Sequence, residues 1–219
     1  MPLPYALAYG RPPMLPSLPQ AVLFDLGGVV VDWDPARLYR KVFAGDEAKV
    51  QWFLSSICTD AWNTQQDAGR PLADATELLV REHPQWEDEI RAFYERWTEM
   101  ITGTVAGTPE LLRDLHAQGV PLFALSNWSA ETFPRVQHDF PELGLFNRVF
   151  LSGNLRVAKP DPEFYRAVLA EIGLPLARLV FIDDDPANVA GAIAFGLPAI
   201  RFHSAAQVRQ HLRTMGLPC

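Results

Sequence analysis

Two short apolar runs each end in acid. Ala21-Val22-Leu23-Phe24 runs into Asp25, and Leu179-Val180-Phe181-Ile182 runs into Asp183-Asp184-Asp185. Desolvation at the end of a buried strand and mutual repulsion both raise carboxylate pKa values, so such a cluster needs a cation, a shared proton or solvent. If Asp25 emerges beside the triple acid, three carboxylates converge, and a hard divalent cation held by oxygens meets the need. The alternative is that these acids face solvent and cap helices. Asp185 has that role in hand, because Pro186 follows it and Asp before Pro suits a helix start. Ser126-Asn127, after a third apolar run, and Lys159 offer the opposite chemistry. A hydroxyl, backbone N–H groups and one ammonium can hold the oxygens of a phosphate or carboxylate. A helix led by Ser129 is expected to add its positive end. For Ser126-Asn127, ordinary turn chemistry stays open.

The elements that must position these groups are legible in the spacing. Apolar runs at 21–24, 120–125, 148–151, 179–182 and 198–202 read as strands buried on both faces. Between them lie helical patterns. Thr108-Pro109, Asp161-Pro162 and Asp185-Pro186 suggest N-caps followed by Pro, and Ser204 with Gln207 resembles a capping box. Gly119, Gly173 and Gly196 fall where helices should stop. Strands alternating with helices through short loops predict an α/β doubly wound domain with a mainly parallel sheet. In such sheets ligands bind outside the carboxyl ends of the strands, where Asp25, Ser126, Ser152 and Asp183 fall.

One interval breaks the alternation. From about residue 35 to 103 the pattern is helical, with no convincing strand, and it holds four of the six tryptophans. Trp86, Ile90, Phe93, Tyr94 and Trp97 share one helix face and read as packing. The expected organisation is a Pro-rich leader at 1–19, a core at 20–34 and 104–219, and a helical cap at 35–103.

Composition excludes several classes. The 219 residues carry 19 Lys+Arg against 26 Asp+Glu, a formal charge of −7, which leaves no general basic footprint for nucleic acid or an anionic membrane. No apolar run approaches the ~18 residues of a membrane-spanning helix, and the N-terminus lacks a signal-peptide pattern. Two distant cysteines make neither a disulfide framework nor a zinc site. The expectation is a reduced cytoplasmic protein. Nothing in the sequence reports its oligomeric state.

Phe-Asp25-Leu-Gly-Gly, Ser126-Asn127, Lys159-Pro160 and Phe-Ile-Asp183-Asp184-Asp185-Pro-Ala-Asn188 stand in an order that resembles the four motifs of the haloacid dehalogenase-like hydrolases. The resemblance spans about 21–203 and implies a Rossmann-like core with a small helical cap inserted after the first strand. It implies a nucleophile at Asp25, phosphate binding by Leu26, Gly27, Ser126, Asn127 and Lys159, and Mg²⁺ held by Asp25, Gly27, Asp184 and Asp183. Asn188 takes the place of a later polar partner. The activity implied is Mg²⁺-dependent hydrolysis of a small phosphomonoester, a sugar phosphate being one candidate, through an aspartyl-phosphate. The alternatives are a metal-independent L-2-haloacid dehalogenase and a non-catalytic binding module. Dehalogenases carry neutral residues where this chain has Asp183-Asp184-Asp185, which favours the phosphatase. One position departs from the phosphatase pattern. Gly27 stands where an acid normally supplies general acid–base catalysis, worth about 10²–10⁴-fold. Asp32 and Asp34 on the following flap are weighed as substitutes, with solvated flap acids the favoured reading. For the substrate pocket, the candidates are Trp33, Gln66, Arg70 and Trp128.

Overall fold

The computed structural model describes residues 18–219, so most of the predicted leader lies outside the described residues. Five strands form a parallel sheet: β1 (Ala21–Phe24), β4 (Leu122–Ser126), β5 (Arg148–Leu151), β6 (Leu179–Asp183) and β7 (Ala199–Arg201). Their order is β5-β4-β1-β6-β7, which places β1 at the centre between β4 and β6. All five apolar runs of the sequence become these strands.

Alternation along the strands assigns side chains to the two faces. Val22, Phe24, Leu122, Ala124, Val180 and Ile182 join one core, while Ala21, Leu23, Leu125, Leu179 and Phe181 join the other. Helices α8 (Pro162–Ile172) and α9 (Pro186–Phe195) close the second face through Phe164, Tyr165, Val168 and Ala192. Helices α6 (Thr108–Ala117) and α10 (Ala205–Thr214) close the first through Leu111, Leu115, Val208 and Leu212. The first core continues without a break into the aromatic residues between 36 and 100. With every side chain of β1 and β6 buried, both faces must be covered, as parallel sheets require.

That interval holds α1 (Ala36–Val42), α2 (Glu47–Ser56), α3 (Asp60–Asp67), α4 (Leu72–Glu82) and α5 (Glu87–Glu95). Ile90, Phe93, Tyr94 and Trp97 are buried; Phe93 packs against Tyr39, Trp62 and Trp97, and Tyr94 against Trp62, so the periodic stripe is packing. Two strands at its ends escape the sequence reading. β2 (Val31–Trp33) and β3 (Ile101–Thr104) pair antiparallel as a ribbon where the chain leaves and re-enters the core. At three and four residues they are too short for alternation to register.

Caps follow the sequence at three helices. Asp161, Asp185 and Ser204 accept from the N–H groups of Glu163, Ala187 and Gln207. Two expectations need correction. Thr108 is inside α6 rather than before it; Gly107, at φ 80°, takes the cap position. No α-helix starts at Ser129. Single 3-10 turns follow instead, because Pro134 would fall inside such a helix without an N–H to donate. The Ser129 N–H is already bonded to the Asp67 carboxylate.

Asp161→Ala removes the side-chain cap of α8. The expected loss is about 1 kcal/mol in urea denaturation, and an unchanged midpoint and slope would refute the assignment.

Candidate active site

Strand register brings the separated motifs to one level. Phe24 pairs with Ala124 on one side and Ile182 on the other. The next residues, Asp25, Leu125 and Asp183, therefore stand at one level of the carboxyl edge, where Leu125 and Asp183 are still paired to β5 and β7, and the Asp25 N–H donates to the Ile182 carbonyl at 2.8 Å. One carboxylate oxygen from each of Asp25, Asp183 and Asp184 lies within 4.8 Å of the other two.

Lys159 enters this group from the loop before α8. Its ammonium is buried and donates to Asp183 Oδ2 at 2.6 Å and to the Leu125 carbonyl at 2.8 Å, and it lies 3.0 Å from Asp25 Oδ1. Burial opposes a charged lysine, yet Asp25 and Asp183 hold its pKa above the ordinary value. Burial pushes Asp25 up to about 7; Lys159 pulls it down, while Asp183 and Asp184 push it further up. Asp184, at the exposed rim, is also raised, first by partial desolvation and then by Asp183.

The three carboxylates are not equivalent. Asp183 is fully buried and bonded to Lys159, the Asp185 N–H and the Asn188 amide. Asp25 Oδ1 accepts from its neighbour Leu26 N–H at 2.7 Å, and its Oδ2 has no protein hydrogen bond among the described residues. Asp184 approaches the backbone of Gly28. A Cβ at Gly28 would fall 2.4 Å from Asp184 Oδ2, and φ there is +73°. Three carboxylates facing one ammonium leave two negative charges to balance. A divalent cation on Asp25 and Asp184 balances them, so the donor set fits a hard metal ion.

The proposed phosphate side is built from the loops after β1 and β4. Ser126 ends β4 and is buried. The Asn127 side chain brackets Lys159, accepting from its N–H at 2.8 Å and donating to its carbonyl at 2.9 Å. Its amide thus positions the lysine. Ser152 donates to the Asp67 carbonyl and accepts from the Trp128 N–H, which ties the loop after β4 to α3. Gly27 has no atom within 4 Å of where its Cβ would stand.

Beside Gly27 lies a cavity of about 50 Å³, lined by Trp33, Asn63, Asp67, Trp97, Asn127 and Trp128. Trp33 and Trp128 were read from the sequence as walls. Gln66 is not among the lining residues. It is fully buried in the helical layer, bonded to the Trp62 carbonyl, Tyr94 and Arg70. Arg70 spends its Nε on Gln66 and does not line the cavity either. Asn63, Asp67 and Trp97 do. Asp67 directly follows Gln66 at the end of α3, and a single acid among helix-favouring residues carries no sequence signal; Trp97 was legible only as packing. Asp32 pairs with Arg37 and Thr102, and Asp34 accepts from the Ala36 N–H, so both flap acids are occupied within the ribbon.

A doubly wound sheet with an acidic cluster and a buried lysine at its carboxyl edge defines a hydrolase class. A sequence profile of haloacid dehalogenase-like hydrolases matches residues 19–196. The chain belongs to that family. It is 26% identical to the sesquiterpene phosphatase astK of Aspergillus oryzae over 90% of this chain and 96% of that protein. The fold is similar to the HAD family enzyme bt-2542 of Bacteroides thetaiotaomicron in complex with magnesium and inorganic phosphate: TM-score 0.62, 22% identity, covering 85% and 95% of the two chains. It is also similar to the L-2-haloacid dehalogenase of Xanthobacter autotrophicus with covalently bound chloropropionic acid, at TM-score 0.60 and 16% identity, covering 92% and 85%. The homologues support a hydrolase of phosphatase type. No helix among the described residues is long and apolar enough to cross a membrane.

Gly28→Ala would drive a methyl group into Asp184 Oδ2 and strain a positive φ. The expected result is divalent-ion affinity weakened by about tenfold or more in calorimetric titration, with the fold retained by circular dichroism. Unchanged affinity would remove Asp184 from the ion site.

Proposed function

We propose that this chain is a Mg²⁺-dependent phosphatase that hydrolyses a small phosphomonoester through an aspartyl-phosphate on Asp25. The observation that carries the reading is the cluster of Asp25, Asp183 and Asp184 balanced by a single buried ammonium. A phosphatase among the relatives, similar over nearly the whole chain, supports it. So does a magnesium and phosphate complex of the same fold. A dehalogenase displacing halide from carbon has no cation to hold and no use for the excess of acid.

In this reading Leu26 N–H and Lys159 fix Asp25 Oδ1, leaving Oδ2 to attack phosphorus. Lys159 lowers repulsion between the nucleophile and an anionic substrate. Ser126 and the backbone at Leu26, Gly27 and Asn127 hold the phosphoryl oxygens. Asp183 holds Lys159 and Asn188 in place. Asp25 and Asp184, with the Gly27 carbonyl, would hold Mg²⁺, which supplies charge neutralisation to the transferring phosphoryl group. Positioning and electrostatics account for such catalysis. Residues 35–103 act as the cap that closes over the leaving group.

The cavity also bears on substrate class. It holds about 50 Å³, and three of its lining residues are tryptophans. A compact leaving group suits that volume better than a sesquiterpenyl chain.

Phosphate release from p-nitrophenyl phosphate is expected to vanish with EDTA, return with Mg²⁺, and fall by about 10³-fold or more in Asp25→Asn. Release that survives chelation or the substitution overturns the mechanism, and metal-independent halide release from 2-chloropropionate would establish the dehalogenase. Separately, kcat/KM for glycerol 1-phosphate is expected to exceed that for farnesyl phosphate by about tenfold or more. The reverse order in steady-state kinetics would refute the compact-substrate reading.

A further inference from the structure

Gly27 removes the acid from the loop after β1, yet a carboxyl group reaches the same cavity from the other side. Asp67, the last residue of α3, is buried and lines the space beside Gly27. Among the residues lining that cavity it is the one with an ionisable side chain. Its charge and that of Asp25 act on one another.

The partners of Asp67 are all donors. Oδ1 accepts from the Ser129 N–H at 3.1 Å, and Oδ2 accepts from the Asn63 amide at 2.9 Å. Neither can take a proton from Asp67. A proton on this carboxyl therefore has no protein acceptor among the described residues, which makes it available to a group in the cavity. Burial pushes Asp67 up to about 8; the Ser129 N–H opposes this and Asp25 adds to it. The ionisable groups facing Asp67 are Asp25 from β1 and Tyr94 from α5. The Tyr94 hydroxyl is tied to Asn63 Oδ1 and Gln66, and the Arg70 guanidinium donates to Gln66. No cation is paired with Asp67 among the described residues, so nothing there offsets the burial that favours its neutral form.

Other acids near the site are engaged elsewhere. Asp32 is held ionised by Thr102 and Arg37. Asp34 caps α1 and Glu131 accepts from the Leu72 N–H. Asp183 and Asp184 belong to the acidic cluster.

We propose that Asp67 is the general acid and general base of this enzyme, placed by the cap opposite the position that Gly27 leaves without a side chain. The proposal rests on the phosphatase reading above. In the first step Asp25 Oδ2 bonds to phosphorus. The bond from phosphorus to the leaving oxygen breaks with its electron pair on that oxygen, which takes the Asp67 proton and departs as an alcohol. In the second, water attacks phosphorus and gives one proton to the Asp67 carboxylate. The bond to Asp25 breaks with its electron pair returning to the Asp25 carboxylate, inorganic phosphate leaves, and both acids are restored. An acid delivered by the cap is in place only when the cap is closed over the substrate, which couples chemistry to closure.

The test uses the full chain with Mg²⁺ and two aryl esters of similar size. p-Nitrophenolate leaves without protonation, whereas phenolate gains from it. Asp67→Asn is expected to lower kcat/KM for phenyl phosphate by about 10²–10⁴-fold and that for p-nitrophenyl phosphate by less than about tenfold. The basic limb of the phenyl phosphate profile, near pH 8 in the parent, should disappear. Gly27→Asp in the same chain should restore phenyl phosphate turnover, because nothing stands within 4 Å of the added Cβ. Asp67 also links α3 to Ser129, so a merely structural role would lower both substrates equally, and that result overturns the proposal. If Asp67→Asn fails to fold, the parent decides: across substituted phenyl phosphates a shallow dependence on leaving-group pKa supports the proposal and a steep one overturns it. Absence of Mg²⁺-dependent turnover of p-nitrophenyl phosphate by the parent overturns the phosphatase reading itself. Turnover without the split between esters overturns Asp67 alone.

Discussion

The buried ammonium of Lys159 is the contact on which the rest of the edge depends. Three carboxylates at the end of a desolvated sheet repel one another, and only a cation among them makes the arrangement tolerable. Lys159 meets Asp25, Asp183 and the Leu125 carbonyl at once. It therefore joins the ends of β1, β4 and β6, the three central strands. Asn127 clamps its backbone from the loop after β4. Asp183 is the inner partner, and its remaining bonds run to the start of α9. The same pairing leaves the outer acids, Asp25 and Asp184, short of positive charge, a deficit that a divalent ion would balance.

The second organising contact joins the helical layer to the core. Asp67 accepts from Ser129, and Ser152 donates to the Asp67 carbonyl. The C-terminal end of α3 thereby meets the loop after β4 and the residue after β5. Gly153 allows this approach, since a Cβ there would stand 2.4 Å from the Ala130 nitrogen. The small cavity lined by three tryptophans lies beside this seam.

Much was legible from local pattern. Strands β1 and β6 announce themselves because burial on both faces leaves no room for polar residues between 21 and 24 or between 179 and 182, and the edge strands β5 and β7 by shorter apolar stretches beside exposed Arg148 and Arg201. Caps at Asp161, Asp185 and Ser204 are local chemistry, and local chemistry is readable. The ribbon strands were not, because pairing with a distant segment decides them; the missing helix at Ser129 had a local signal in Pro134, which falls where that helix would need an N–H.

By itself the sequence determined the parallel sheet, the helical insertion and the residues at the strand ends, since each follows from apolar runs, prolines and spacing along the chain. It also exposed the absence of an acid at Gly27. Only the tertiary structure decided which acids converge, because that depends on strand order and register: β1 lies between β4 and β6, at the level where Asp25 meets Asp183. Only it turned Gln66 into the interior of the helical layer and brought Asp67 to the cavity. Residues separated by so much chain share a site only through packing, and packing has no period to read.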